Sequence, residues 1–236
     1  MMNPIYVRVW GDLACFTRPE TKVERVSYPV ITPSAARGLL ESILYKPQFR
    51  WRVRRIAVRS PINFINIRRN ELKSKASIQN GRAVPILIDD DRTQRNTLAL
   101  RDVDYVLEAE IEVRTEVHDS RDRSQESGID LLQKSRAMAI RRIEKGQCFQ
   151  QPCFGCREFP AYFERVTSEE MVVDPKINDD ADFGWTLYEV FDLNRPIEWG
   201  ATQENPAMTF FQAKLKKGIL EIPPWEEVKK QLEAKA

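Results

Sequence analysis

Two side chains in this sequence have the chemistry needed to move protons, and the first is His118. It is the only histidine among 236 residues, and imidazole is the usual side chain for proton transfer near neutral pH. It follows a predicted strand and lies beside a loop rich in Arg and Asp. The alternative interpretation is an ordinary surface histidine.

The second is Tyr45, which closes the first predicted helix beside Lys46 because Pro47 stops that helix. A tyrosine in this place can orient or activate a hydroxyl group, while the lysine neutralises a phosphate. The alternative is an edge residue whose ring packs on the core.

The cysteines give only a weak signal for a metal site. Cys148, Cys153 and Cys156 have C-x4-C-x2-C spacing, and Cys15 is remote in sequence. Because a single CxxC without His partners falls short of a zinc site, we expect buried free thiols and no metal. Four cysteines in a chain of this length also indicate a reducing cytoplasm rather than a disulfide scaffold.

The loop of Gly155, Cys156 and Arg157 can bring backbone amides and a guanidinium to a phosphate. It is not a P-loop, since neither GxxxxGK[ST] nor GxGxxG occurs in the sequence. The run of acids at 89–91 is typical of a solvated turn. We therefore expect no cofactor, and a metal-dependent nuclease is disfavoured.

The charge is distributed unevenly along the chain. The formal net charge is only +2, but residues 1–100 carry a balance of +10 and residues 101–236 a balance of −8. Such blocks favour a polyanion partner for the first half or a dipolar subunit of an assembly. No apolar run is long enough for a membrane span, and no secretion signal is visible.

The elements that must position these side chains follow from periodicity. Helical spacing predicts a helix capped by Thr32 and a second one that ends at Gly146. Alternation predicts strands that start near Ile5, Phe49, Ile62, Val103 and Ala161. In the second of these strands Arg50, Arg52 and Arg54 share an open face, which is unusual unless something anionic covers it.

In order, the long elements are strand, helix, strand, inserted hairpin and strand, helix, strand. This is the ferredoxin-like order that RNA-recognition domains also use. We predict an α+β protein with a ferredoxin-like domain over residues 1–166 and an insertion at about 62–101. Residues 167–236 are predicted to form a small antiparallel sheet with a C-terminal helix.

Several stretches together resemble one known family. They are VRVWGDLACFTRPETKVERVSYPVITPSAARGLLESILYKP, PINFINIRRNE and FGCREFPAYF. The chain is similar through its whole length to the CRISPR-associated proteins of the fifth Cas family, subtype I-C (the "d" form), which belong to the RAMP superfamily. The resemblance implies a metal-independent endoribonuclease that trims precursor CRISPR RNA within its repeats and then stays on the 5′ handle.

The resemblance also implies which residues act. The family's processing site uses a tyrosine near the end of the first helix, which matches Tyr45, and a Lys-His pair after the core strand. His118 matches that histidine, but Val117 stands where the family has lysine. Lys46 or Arg121 is the candidate replacement.

The expected partners are the repeat RNA, the backbone and large subunits of the surveillance complex and, nonspecifically, double-stranded DNA. A non-catalytic scaffold that only binds the 5′ handle is the main alternative, and a DNA nuclease is a weaker one. The cations expected to hold RNA are Arg18, Lys22, Arg25, Arg68, Arg69, Arg121, Arg123 and Arg157.

Overall fold

The computed structural model of the chain describes residues 3–21, 23–79, 81–113, 128–177, 180–192 and 206–233. These residues form four α-helices, α1 to α4, which span Pro33–Ile43, Ile88–Asp91, Gly128–Glu144 and Trp225–Glu233. They also form eleven strands, β1 to β11, which span Ile5–Ala14, Arg25–Val26, Phe49–Val58, Asn63–Leu72, Ile78–Gln79, Arg82–Ala83, Arg92–Val113, Tyr162–Val166, Ala181–Asp192, Pro206–Lys216 and Ile219–Glu221. In these ranges no helix is both long and apolar enough to cross a membrane.

One large sheet dominates the fold. Its strand order is β8-β1-β7-β3-β11-β10-β9, and all neighbours along that order are antiparallel. Strands β2 and β4 pair separately with β7. The C-terminal strands β9 to β11 pair antiparallel as predicted, and β11 also pairs with β3. The same sheet therefore runs through both predicted domains.

Helix α1 begins as its sequence predicts. The Thr32 hydroxyl accepts a hydrogen bond from the Ala35 amide at 3.2 Å, and Pro33 is the first helical residue. The apolar stripe of this helix is buried, and α1 also contacts α3. Both helices join the core that contains Ile5 and Val7 of β1.

A long hairpin replaces the short strand that the sequence predicts from Ile62 to Ile67, with its end at Arg68 and Arg69. Strand β4 continues through Arg68 and Arg69 to Leu72, paired with the first half of β7, which is itself 22 residues long. The charged pair had indicated a strand end. In an extended hairpin with much of its surface in solvent, charged side chains are tolerated, so polarity does not mark the end.

The arginine face of β3 is covered by the protein's own glutamates. Arg52 binds Glu112, the Arg54 Nε lies 3.0 Å from Glu110, and the Arg55 Nε lies 2.7 Å from Glu108. These glutamates recur at every second residue of β7, so they follow one face of that strand. The negative charge expected opposite these arginines is therefore supplied by the glutamates of the adjacent strand β7.

A buried carboxylate connects β9 to the rest of the sheet and to α1. Glu189, with a side chain only 7% exposed, accepts a hydrogen bond from the Arg37 Nε at 2.6 Å and one from Arg50 at 2.9 Å. Burial alone raises the pKa of Glu189, but the charges and hydrogen bonds of the two arginines outweigh it and lower that pKa. Burial of Arg50, only partly offset by Glu189, lowers its pKa to about 10.

We expect Glu189→Gln to lower the free energy of unfolding by about 3–5 kcal/mol, because it removes the buried carboxylate that Arg50 binds and one of the two carboxylates that Arg37 binds. The pKa of Glu189 is depressed in the folded state. Its contribution is therefore present above the unfolded-state pKa of about 4.3 and is lost as pH falls through the lower folded-state value. Urea unfolding of the wild type and of Glu189→Gln at several pH values measures the difference in their free energies of unfolding.

Glu112→Gln is the matched control. Its carboxylate binds Arg52 but is 51% exposed, so we expect a change within about 1 kcal/mol. Equal costs for the two variants would show that burial is not what makes Glu189 important.

Candidate functional site

Tyr45 lies just beyond α1 rather than in its last turn. The helix ends at Ile43, and the buried Leu44 caps it in an extended conformation with φ −145° and ψ 110°. Tyr45 follows with 53% of its surface exposed, and Lys46 is half-buried. Pro47 disfavours helical geometry at Lys46, so the helix does not resume after this turn. The exposed ring also argues against the core-packing alternative.

Two side chains hold the end of α1 in place. The Trp51 indole N–H donates to the Leu44 carbonyl at 3.0 Å, and the Arg142 guanidinium of α3 donates to the Ile43 carbonyl at 3.0 Å. Both carbonyls are at a helix end, where no backbone partner remains within the helix. Tyr45 therefore projects from a turn whose two preceding residues are fixed. Neither Trp51 nor Arg142 is among the candidate residues that the sequence indicates.

The end of β7 lies beside this turn. Val113, the last residue of β7, pairs with Phe49, which is the first residue of β3 and follows Tyr45 by four positions. The chain then enters residues 114–127, which lie outside the described residues. The candidates His118, Val117, Arg121 and Arg123 all fall in that segment.

Three of the predicted RNA-binding arginines, from segments distant in sequence, lie at or beside the loop 153–160. The Arg69 guanidinium on β4 lies 2.8 Å from Glu71 and also binds Glu158 in the loop 153–160. Arg25 on β2 lies 3.7 Å from Glu71 and donates to the Cys156 sulfur at 3.2 Å. Arg157, in the same loop, is exposed. Carboxylates thus neutralise Arg25 and Arg69, while Arg157 has no ion pair within the described chain.

The remaining predicted cations have separate environments. Arg18 lies over the Tyr28 ring at 4.7 Å and is 3.8 Å from Glu20. Arg68 is exposed on β4 and forms no ion pair with any described residue. Lys22 lies outside the described residues. Arg68 and Arg157 are therefore the candidates whose charge is not matched by a described carboxylate.

All four cysteines are free thiols, and two of them form a buried pair. A hydrogen bond from Cys156 and the nearby positive charge of Arg25 lower the pKa of Cys15, although burial opposes this. The same hydrogen bond and burial raise the pKa of Cys156. Cys153 is half-buried, but Cys148 is exposed, so its predicted burial was wrong. Among the described residues no three side chains of His, Cys, Asp or Glu are grouped as metal ligands.

The Gly155 loop is packed tightly against β1. Gly155 has φ +81°, and a Cβ at this position would lie 2.0 Å from the Cys15 carbonyl oxygen. The Cys15 amide also donates to the Phe154 carbonyl at 3.0 Å, and the Phe154 ring is fully buried. The loop is a packed turn, and its glycine is required by both conformation and space.

We expect Gly155→Ala to destabilise the protein by at least about 1–3 kcal/mol, because it adds left-handed strain to a backbone clash. Gly38→Ala is the control. Gly38 lies inside α1, where an added Cβ meets nothing within 4 Å, so alanine should stabilise the helix by up to about 1 kcal/mol. The melting temperature should therefore fall in Gly155→Ala and rise in Gly38→Ala. Equal shifts in the two variants would contradict the packing described for this loop.

Solved structures resemble this fold over nearly the whole chain. A structure described as a CRISPR-associated protein has a TM-score of 0.65 at 23% identity and covers 96% of this chain and 94% of its own. A functionally uncharacterized protein from Streptococcus mutans has a TM-score of 0.64 at 21% identity, with coverage of 96% and 95%. A chain from a CRISPR RNA-guided surveillance complex has a TM-score of 0.52 at 11% identity and covers 98% of both chains. The fold is thus one found among CRISPR-associated proteins.

The sequence narrows that class to a single family. Residues 5–223 match the family described as CRISPR-associated protein (Cas5), in its Cas5d form. The chain therefore belongs to the Cas5 family of CRISPR-associated proteins, which confirms the resemblance seen in its sequence.

Two relatives are similar over almost their full length. The CRISPR pre-crRNA endoribonuclease Cas5d of Mannheimia succiniciproducens is 42% identical over an alignment 245 residues long, which covers 98% of this chain and all of that protein. The protein of the same name from Thermus thermophilus is 39% identical over 231 residues, covering 94% of this chain and 92% of the relative.

Proposed function

We propose that this protein is an endoribonuclease that cuts precursor CRISPR RNA within its repeats and then remains on the 5′ handle as a subunit of a type I-C surveillance complex. Two relatives at 42% and 39% identity that are named for this activity support the proposal. The observation that carries it in this chain is the exposed Tyr45, held on a fixed turn beside the end of β7.

The length of chain between Val113 and His118 is sufficient for His118 to act beside Tyr45. His118 follows Val113 by five residues, a stretch that spans at most about 18 Å when fully extended. Val113 pairs with Phe49 close to the Tyr45 turn. A tyrosine that precedes β3 and a histidine that follows β7, at the same end of these two paired strands, can therefore act on the same phosphate.

RNA supplies its own nucleophile in this reaction. Tyr45 or His118 accepts the proton of the 2′-hydroxyl, and the 2′-oxygen forms a bond to phosphorus. The bond between phosphorus and the 5′-oxygen breaks, and the other side chain gives that oxygen a proton. The products are a 2′,3′-cyclic phosphate and a 5′-hydroxyl, and no metal-bound water is needed.

A cation is needed to stabilise the charge that builds up on the phosphate oxygens. Val117 stands where the resemblance implies a lysine of the processing site. We assign the role to Lys46, next to Tyr45, with Arg121 as the other candidate. The same departure at Val117 favours the second candidate function, a scaffold that binds the 5′ handle without cutting it.

The unmatched cations Arg68 and Arg157 support binding of RNA through its phosphates. Double-stranded DNA would bind the same charges without sequence preference. The partner proteins are the backbone and large subunits of the complex, and the likeness to a chain of a surveillance complex supports this assembly. The acidic C-terminal part is the proposed contact with them.

The ferredoxin-like domain over residues 1–166 and the small domain over residues 167–236 remain part of the proposal. The order β8-β1-β7-β3, with α1 after β1 and α3 after β7, supports the first domain. The antiparallel strands β9 to β11 and helix α4 support the second.

We expect purified protein to cut its repeat RNA in EDTA, and Tyr45→Phe and His118→Ala each to slow cutting by about 10²–10⁴-fold because each removes an acid or a base. Affinity for RNA with a 2′-deoxy group at the cut site should not change. Tyr162→Phe is the control, since Tyr162 is also exposed but lies on β8. Tight binding without cutting by the wild type would leave the scaffold function.

Removal of an unmatched cation should change the salt dependence of binding. We expect Arg68→Ala to reduce the slope of log affinity against log salt by about 0.7–0.9, the contribution of one phosphate contact. Lys214→Ala on β10 is the control, because its 56% exposed side chain lies in the part assigned to protein partners. Equal slopes for both variants and the wild type would contradict the RNA-binding role of Arg68.

A further inference from the structure

An exposed aromatic side chain lies next to the end of α1 and has no assigned role. Phe149 is 76% exposed. Its backbone amide donates to the Ser42 carbonyl at 2.8 Å, and the next amide, of Gln150, donates to the same oxygen at 3.0 Å. Two hydrogen bonds therefore tie the backbone that carries this ring to the last turn of α1.

The end of α3 determines where this ring lies. Gly146 takes φ +61°, and the Gln147 amide donates to the Arg142 carbonyl at 2.9 Å, which is the glycine-capped end typical of helices. The chain then reverses toward α1 within three residues of the cap. The position of the Phe149 backbone is therefore determined by the cap of α3 on one side and by its hydrogen bond to the last turn of α1 on the other.

The backbone of Phe149 lies beside the segment that leads to Tyr45. Ser42, whose carbonyl accepts the hydrogen bond from the Phe149 amide, precedes Tyr45 by three residues, and both aromatic side chains are largely exposed. Single exposed apolar residues are common on protein surfaces. Two exposed aromatic rings on fixed backbone, beside the same helix end, are the feature that a flexible single strand can use for stacking.

The surrounding charge is suitable for RNA. Arg141 in the last turn of α3 and Lys145 just after that helix are exposed, and Lys46 adjoins Tyr45. Glu144, the acid of this turn, is bound by Arg165. An exposed ring on a segment close in sequence to exposed cations matches the combination of stacking platform and positive charge found in single-strand binding sites.

We infer that Phe149 stacks on an unpaired base of the repeat RNA beside the phosphate that is cut. The inference rests on the proposed function and adds to it a substrate contact that holds the single-stranded part of the RNA against Tyr45. The ligand is an RNA base presented by its face, so the contact is tolerant of base identity.

The test measures binding of repeat RNA with a 2′-deoxy group at the cut site, so that no cleavage occurs. We expect Phe149→Ala to weaken binding by about 5- to 100-fold and Phe149→Leu to weaken it similarly. Phe149→Trp keeps an aromatic ring and should bind with the affinity of the wild type. A series of RNAs with one abasic nucleotide at each unpaired position should contain one RNA for which the wild type and Phe149→Ala bind equally.

Val172→Ala is the matched control, because Val172 is apolar, 80% exposed and adjacent in sequence to Met171 and Val173, which belong to a separate cluster. It should bind as the wild type does. Wild-type affinity in Phe149→Ala, or full rescue by leucine, would overturn the stacking contact while leaving the proposed function intact. Failure of the wild type itself to bind the repeat RNA would overturn both.

Discussion

The buried contact of Glu189 with Arg37 and Arg50 is the constraint on which much of this structure depends. Each of these residues belongs to a different element, namely β9, α1 and β3. A carboxylate that is almost fully removed from water is stable as an anion only if cations replace its hydration. The three elements must therefore keep their relative positions, and the end of α1 that carries Tyr45 is fixed with them.

Pairing of charges within the chain also determines what remains for a ligand. Three arginines of β3 are bound by glutamates of β7. Arg8 of β1 lies 2.9 Å from Asp104 and 3.0 Å from Glu164. The opposite charge balances of the two parts of the sequence thus cancel in large part inside one molecule. The positive surface open to RNA is therefore smaller than the composition indicates. Individual cations such as Arg68 and Arg157 become correspondingly more important for RNA binding.

Local patterns predicted the elements near the proposed site well. Thr32 caps α1 and Gly146 ends α3, because capping depends on a few adjacent residues. The length of β4 and the exit of Leu44 from the helix were predicted less well. An exposed hairpin needs no apolar alternation, and a helix end is decided by the side chains that bind its last carbonyls, here from Trp51 and Arg142.

The sequence by itself determined the family, the order of the long elements and the residue types able to transfer protons, because these depend on local spacing and on similarity along the chain. Only the tertiary structure decided which charges are already satisfied, how Arg25, Arg69 and Cys156 meet, and why Phe149 lies beside α1. Those contacts join residues tens to more than a hundred positions apart. Their existence depends on strand register and on helix packing, which no single segment of the sequence specifies.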